Sequence, residues 1–470
     1  MSKKVAALNT ELQEHQKKAL ARALVSNLLL AHSTGSGKTL TSIAIADALN
    51  KPVTVLTPAS LVDNFKKEIA KHVKKGTGPS YDVKSINKAV LDNYQIPKGN
   101  TVILDEIHNL RNSGTAKQKY IKSQLDRAGR IIGLTGTPAY NDISDWAPLV
   151  NIVANKNVVP AKASDFRATY IETERVRQSA LDRLLHGRSK AGTVEHLKHG
   201  ADLRRRLTPW IDIFDKDVEK AARNDVYIDT TMSPEQVKLY KAFLKKMPES
   251  LRRKLNQNLP PNRSELGQLN TFLIGPRQVV NTAEGYDIDA PAGDKIVKAS
   301  ENLKEAIKKN PKLRAVVYSN FLDSGVNSYA RVLDETKIPY GVYTGALDPK
   351  QKKALVDNYN KALGASVLLI SGAGAEGLDL KNTRLIQILE PYWNNSRIEQ
   401  VIGRGIRYKA HDDLKPEERK VTVEHYRALL PEERGLFWIK KRTPSVDEYL
   451  DARSKEKQAL IDSVKQTLAQ

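Results

Sequence analysis

Within the stretch LLLAHSTGSGKTLTSIAIADAL, residues 28–49, an apolar run breaks into Ser, Thr and Gly and then resumes with helical spacing. Gly35 and Gly37 permit a tight turn with inward-pointing amides, and Lys38 and Thr39 open the following helix. Such a loop is a phosphate cradle. The amides around Gly35, Ser36 and Gly37 bind phosphate oxygens, the Lys38 ammonium reaches the β- and γ-phosphates, and the Thr39 hydroxyl ligates Mg²⁺. The usual pattern opens on Gly; His32 stands there, and Gly35 is expected to supply the turn instead.

Two further stretches fit the same chemistry. TVILDEIHNLRN brings Asp105 and Glu106 to the end of an apolar run, where open α/β sheets bind ligands. Asp105 is suited to hold the Mg²⁺ that Thr39 also ligates, and Glu106 to orient or deprotonate an attacking water. EQVIGRGIRY carries Gln400, Arg404 and Arg407 in what reads as one helical stretch, with the two arginines three residues apart on one face. Positive charge of this kind meets the equatorial oxygens of a transferring phosphoryl group. The break at residues 32–39 therefore holds a triphosphate, and a second domain is expected to complete its site.

The elements that must position these residues follow from hydrophobic patterning. NLLLAH, VTVLTP, TVILDE and RIIGLTG read as buried strands alternating with helices, which implies a parallel sheet covered by helices. GLTGTPAYND ends the last of them in Thr135, Gly136 and Thr137. Residues 151–224, rich in Arg and Lys, read as a helical extension. Residues 225–299 read as a helical insertion, with a strand before the helix start at Ser233-Pro234-Glu235. RAVVYSN, YGVYTG, SVLLIS and RLIQILE predict a second parallel sheet over residues 300–450, and residues 451–470 a terminal helix. The first sheet domain is expected over residues 1–150.

Composition sets the class of partner. Lys and Arg number 76 against 54 Asp and Glu in 470 residues, a net charge of +22. Residues 1–160 hold 22 basic and 12 acidic side chains, so the excess is spread rather than confined to a tail, as suits a polyanion lying across several domains. Absence of cysteine excludes disulfides, thiolate metal sites and cysteine nucleophiles. No apolar run has the length of a signal core or a membrane span, so a cytoplasmic protein with no membrane partner is expected.

Taken in order, these stretches resemble the motifs of superfamily 2 helicases and translocases: HSTGSGKT, TPASLVDNFKKEI, DEIH, TGTP, VVYSNF, GAGAEGLDL and QVIGRGIR. EPYWNNSRIEQVIGRGIR and MSPEQVKLY look more like chromatin-remodeller-type ATPases and those of large DNA viruses and phages than like DEAD-box proteins. The resemblance implies two RecA-like domains, an α/β fold of two parallel-sheet domains with an ATP cleft between them and helical insertions. It assigns Gln16 to adenine, Gly377 and Asp379 to the nucleotide side, and His108, Thr135 and Thr137 to coupling. Thr57, Ser319 and Thr344 would contact the nucleic-acid backbone. Two departures stand out: His32 for Gly, and Asn395 where remodellers commonly have Pro.

The expected activity is an ATP- and Mg²⁺-dependent helicase or translocase on DNA, binding with little regard to base sequence and unwinding or remodelling branched or forked DNA. A duplex-DNA translocase that displaces proteins or assists transcription without separating strands is the alternative. Intact Lys38, Asp105, Glu106, Arg404 and Arg407 disfavour a binding module with a dead nucleotide site, and the second sheet with its paired arginines disfavours a P-loop kinase or transporter ATPase.

Overall fold

The apolar runs become buried parallel strands in the computed structural model, which describes residues 8–33, 35–136, 142–176, 192–214, 221–262, 264–286, 291–372, 378–407, 409–434 and 440–469. The strands of the first half are β1 Leu28–His32, β2 Val53–Thr57, β3 Tyr81–Ser85, β4 Thr101–Leu104 and β5 Arg130–Thr135. β6 Ile171–Val176 and β7 Gly192–Leu197 form a two-stranded ribbon, and β8 Ile211–Phe214 follows. The strands of the second half are β9 Ala222–Thr231, β10 Arg314–Ser319, β11 Tyr340–Tyr343, β12 Ser366–Ser371, β13 Thr383–Ile388 and β14 Lys420–Leu429.

Two six-stranded sheets result, ordered β3-β2-β4-β5-β1-β8 and β11-β12-β10-β13-β14-β9. Every pairing within them is parallel. Interior strands such as β1 and β2 are buried at each residue, because helices cover both faces and there is no solvent face for polar side chains. Edge strand β9 is mostly exposed and alternates charge with apolar residues. The chain divides into two compact units, residues 1–172, 195–218 and 459–470 forming one and residues 173–194 and 219–458 the other. Each is an α/β unit with its own parallel sheet, as the sequence leads one to expect.

The stretch 151–224 is not purely helical. It contains β6, β7, β8 and the start of β9, and β8 extends the first sheet beside β1. IDIF, residues 211–214, is too short to give a periodic signal; its strand conformation is selected by hydrogen bonding to β1. The strand before Ser233 is present as β9, and the helix Pro234–Lys245 starts as expected, with Ser233 Oγ accepting from Gln236 N at 3.2 Å. The final helix, Val446–Ala469, sends Tyr449 and Leu450 into the core of the second unit and Ile461 and Val464 into that of the first.

Candidate functional site

The turn after β1 needs left-handed backbone, and glycine provides it: φ is +86° at Gly35 and +79° at Gly37. Gly37 caps the helix Lys38–Leu49 without any side-chain hydrogen bond, so the first-turn amides are left for an anion. A Cβ on Gly37 would lie 2.5 Å from Gln16 Nε2, and Gln16 donates to Gly37 O at 3.4 Å. Lys38 Nζ donates to His32 O at 2.9 Å and Ser33 O at 3.1 Å, so its ammonium lies along the loop.

Asp212, Arg22, His15 and Phe214, which the motif reading passed over, brace this loop around His32. His32 is fully buried, with Nε2 2.7 Å from Asp212 Oδ2 on β8, and Arg22 donates to Asp212 Oδ1 at 2.8 Å. The carboxyl of Asp212 stays below the usual range because hydrogen bonds and charge from His32 and Arg22 outweigh burial, the largest single influence and one that acts the other way. His15 Nε2 lies 3.0 Å from Ser36 O, and its ring stacks on Phe214 with centroids 3.7 Å apart. The first glycine of the pattern is thus replaced by a buried side chain with a carboxylate partner of its own, far away in sequence.

At the carboxyl ends of β2, β4 and β5 the acidic pair is tied in. Thr57 Oγ1 donates to Asp105 Oδ2 at 2.8 Å, and Glu106 N donates to Oδ1 at 3.0 Å. Burial, then the charge of Glu106, pushes the Asp105 carboxyl up to about 6, against the lowering influence of the Thr57 hydroxyl and the Lys38 charge. Glu106 adopts φ +47°, and His108 Nδ1 lies 3.2 Å from both Glu106 Oε2 and Thr135 Oγ1. Among the described residues no group of three or more His, Asp or Glu could hold a metal alone. A carboxylate with raised proton affinity beside a P-loop fits a Mg²⁺ that takes its remaining ligands from phosphates and water.

In the second unit Arg407 Nη1 lies 3.3 Å from Asp379 Oδ1. Gln400 and Arg404 are on the helix Ser396–Gly405, but Arg407 is beyond its end, so the two arginines do not share one helical face as the sequence suggests. The helix stops where Gly405 packs tightly, a Cβ there being 2.8 Å from Ile386 Cδ1. Of the residues expected at the nucleic-acid backbone, Thr57 is fully buried and donates to Asp105, and Ser319, 1% exposed, donates to Glu390 at 3.0 Å. Thr344 is partly buried after β11. Thr137 and Gly377 lie outside the described residues.

Comparison with known proteins gives three matching families: an SNF2-related domain over residues 79–284, a helicase conserved C-terminal domain over 298–409, and the res subunit of type III restriction enzymes over 9–96. A protein of Acanthamoeba polyphaga mimivirus, named for ATP-dependent RNA helicase activity, is 32% identical over 97% of this chain and 96% of its own length. A termination factor NPH-I homologue of African swine fever virus is 24% identical over 94% of this chain and 75% of its own. The SWI2/SNF2 ATPase core of Sulfolobus solfataricus, solved with dsDNA, overlaps 90% of this chain and 89% of that one at 17% identity, with a TM-score of 0.38, too loosely to equate residues. No helix among the described residues is long and apolar enough to cross a membrane. With its helicase-type ATPase domains and near full-length similarity to the mimivirus protein, this chain belongs to the superfamily 2 helicases.

Proposed function

We propose that the chain is an ATP-driven motor that moves along DNA. The observation that carries this reading is the wiring of the acidic pair: Thr57 on Asp105, and His108 between Glu106 and Thr135, join the ends of three neighbouring strands. In a site built only to cleave a phosphoanhydride, Glu106 would need no link to other strands; in a motor, the state of the reacting phosphate must be felt elsewhere.

In this reading the amides of residues 35–38 and the Lys38 ammonium hold the phosphates, Gln16 reads adenine, and Thr39 and Asp105 would hold Mg²⁺. When bound, Mg²⁺ neutralises charge on the β- and γ-oxygens. Glu106 takes a proton from the attacking water, and His108, within 3.2 Å of it, holds its orientation. Arg404 and Arg407, with Gln400, supply charge for the transferred phosphoryl group, and Asp379 keeps Arg407 in place through their 3.3 Å contact. The +22 charge favours a polyanionic track.

The SNF2-related match and the termination-factor relatives support DNA and a second reading, translocation on duplex without strand separation in the service of transcription. The mimivirus relative's name makes RNA the competing track. ATP turnover with single-stranded, duplex and forked DNA and with RNA, alongside strand displacement on the same substrates, separates these, with Lys38→Ala as the inactive control. Stimulation by duplex without displacement selects translocation. Stimulation by RNA alone defeats the DNA reading, and no stimulation by any nucleic acid defeats the motor.

A further inference from the structure

β9 closes one edge of the second sheet, and among the described residues no strand lies against its outer side. Its pairing with β14 runs unbroken from Ala222 with Lys420 to Thr231 with Leu429. Ala222 N donates to Arg419 O at 2.8 Å and Met232 N to Leu429 O at 2.9 Å, so the even-numbered residues turn their N–H and C=O groups to β14. Arg223, Asp225, Tyr227, Asp229 and Thr231 therefore point theirs outward, and these residues are exposed. Between them Val226 is 36% exposed, although apolar. A long open edge of this kind is a template for another strand.

The charges around β9 do not suit a nucleic acid. Arg223 donates to Asp225 and to Glu399, each at 2.7 Å, and Arg427 to Asp229 at 2.8 Å and Asp451 at 3.0 Å. These cations are matched by carboxylates, so a polyanion finds little surplus positive charge here. The strand is instead complementary to itself. Laid antiparallel on a second copy with the two-fold axis at Val226, it sets Arg223 opposite Asp229, Asp225 opposite Tyr227 and Val226 opposite Val226. Odd-numbered residues then meet odd-numbered ones, as their outward N–H and C=O groups require. Sliding one copy by two residues, the smallest step that keeps this parity, sets Asp225 against Asp225 in one direction and against Asp229 in the other. Like charges directly opposite are destabilising, so charge selects the register centred on Val226 over both neighbours.

We propose that β9 is a self-association surface, on which a second copy of this chain pairs antiparallel about a two-fold axis at Val226 and joins two six-stranded sheets into one. The inference is independent of the motor reading above. One strand edge is a small interface, so a dissociation constant of roughly 1–100 μM is expected.

The test is sedimentation velocity of the full chain at concentrations bracketing that range, in about 0.15 M KCl, where repulsion between two chains of net charge +22 is screened beyond ~8 Å. Wild type should pass from monomer to dimer. Val226→Asp and Val226→Lys each set like charges across the axis and should weaken the dimer roughly fivefold or more, while an equimolar mixture of the two should dimerise again because opposite charges meet. A wild type that stays monomeric throughout would leave β9 to a strand of another protein, or to none, and overturn the proposal. A dimer indifferent to both substitutions would place the interface elsewhere and overturn it, and so would a mixture no more associated than its components. Because the chain has no cysteine, Val226→Cys carries a single thiol, and it decides the matter if a charged variant fails to fold. At the axis the two Cβ atoms lie about 4.5–5.5 Å apart, so copper–phenanthroline should link this variant into a covalent dimer several-fold faster than Leu363→Cys at the same concentration. Leu363 is 92% exposed and precedes β12, so it reports chance collision; equal rates would overturn the pairing.

Discussion

Replacing Thr57 with Val removes the hydroxyl that donates to Asp105 Oδ2 at 2.8 Å and keeps the branched shape that is buried at the end of β2. The consequence is a change in proton affinity. Asp105 titrates near 6 because burial and the Glu106 charge raise it while the Thr57 hydroxyl and Lys38 lower it. A hydrogen bond to a charged group contributes about 1.5–3 kcal/mol, and one pKa unit corresponds to about 1.4 kcal/mol, so losing it moves Asp105 up by roughly one unit or more. Only the ionised carboxylate is a Mg²⁺ ligand, so activity is present above the folded pKa and lost as pH falls through it. With the limb displaced from about 6 to about 7, the ionised fraction at pH 6.5 falls from about three-quarters to about one-quarter, while near pH 8.5 it hardly changes. The assay is kcat/KM for ATP against pH at fixed, low Mg²⁺, which reports the free enzyme. Thr57→Val should match wild type in the alkaline range and fall about threefold behind at pH 6.5. An acid limb at the same pH in both proteins would refute the reasoning. So would a loss equal at every pH, which would mean that Thr57 acts through shape rather than through the carboxyl.

Glu106→Gln should retain nucleotide binding and stop hydrolysis; since it also removes the charge that raises Asp105, Mg²⁺-dependent binding of a fluorescent nucleotide at pH 6 should tighten, and loss of binding would disprove the role. Gly37→Ala puts a side chain at φ +79° with its Cβ 2.5 Å from Gln16 Nε2, so nucleotide affinity should fall by about tenfold or more; unchanged affinity would mean that the loop relaxes freely. Arg407→Ala should lower nucleic-acid-stimulated turnover roughly 10³-fold with nucleotide still bound, and Lys should rescue it poorly; near wild-type turnover would remove Arg407 from the phosphoryl site.

Glycines spaced for a turn, a Lys-Thr pair opening a helix and an acidic pair ending an apolar run are local features, and each holds its place on the fold because backbone conformation and strand burial are set by neighbours in sequence. Strands buried on both faces were legible for the same reason: β1, β2, β4, β5, β10, β12 and β13 are apolar runs bounded by polar turns. What contiguous patterning could not reveal depends on partners far along the chain. β8 is a strand because β1 lies beside it, and its Asp212 meets His32 across 180 positions of sequence. β9 and β14 alternate charged and apolar residues, and only their mutual pairing in register, from Lys420 with Ala222 to Leu429 with Thr231, identifies them as one edge of the second sheet. Thr57 and Ser319 occupy motif positions, yet each hydroxyl donates to a carboxylate beside it, Asp105 for one and Glu390 for the other. The helix likewise ends at Gly405, with Ile406 leaving helical backbone at φ −117° and ψ 57°, so Arg404 and Arg407 part although their three-residue spacing alone would have kept them on one face.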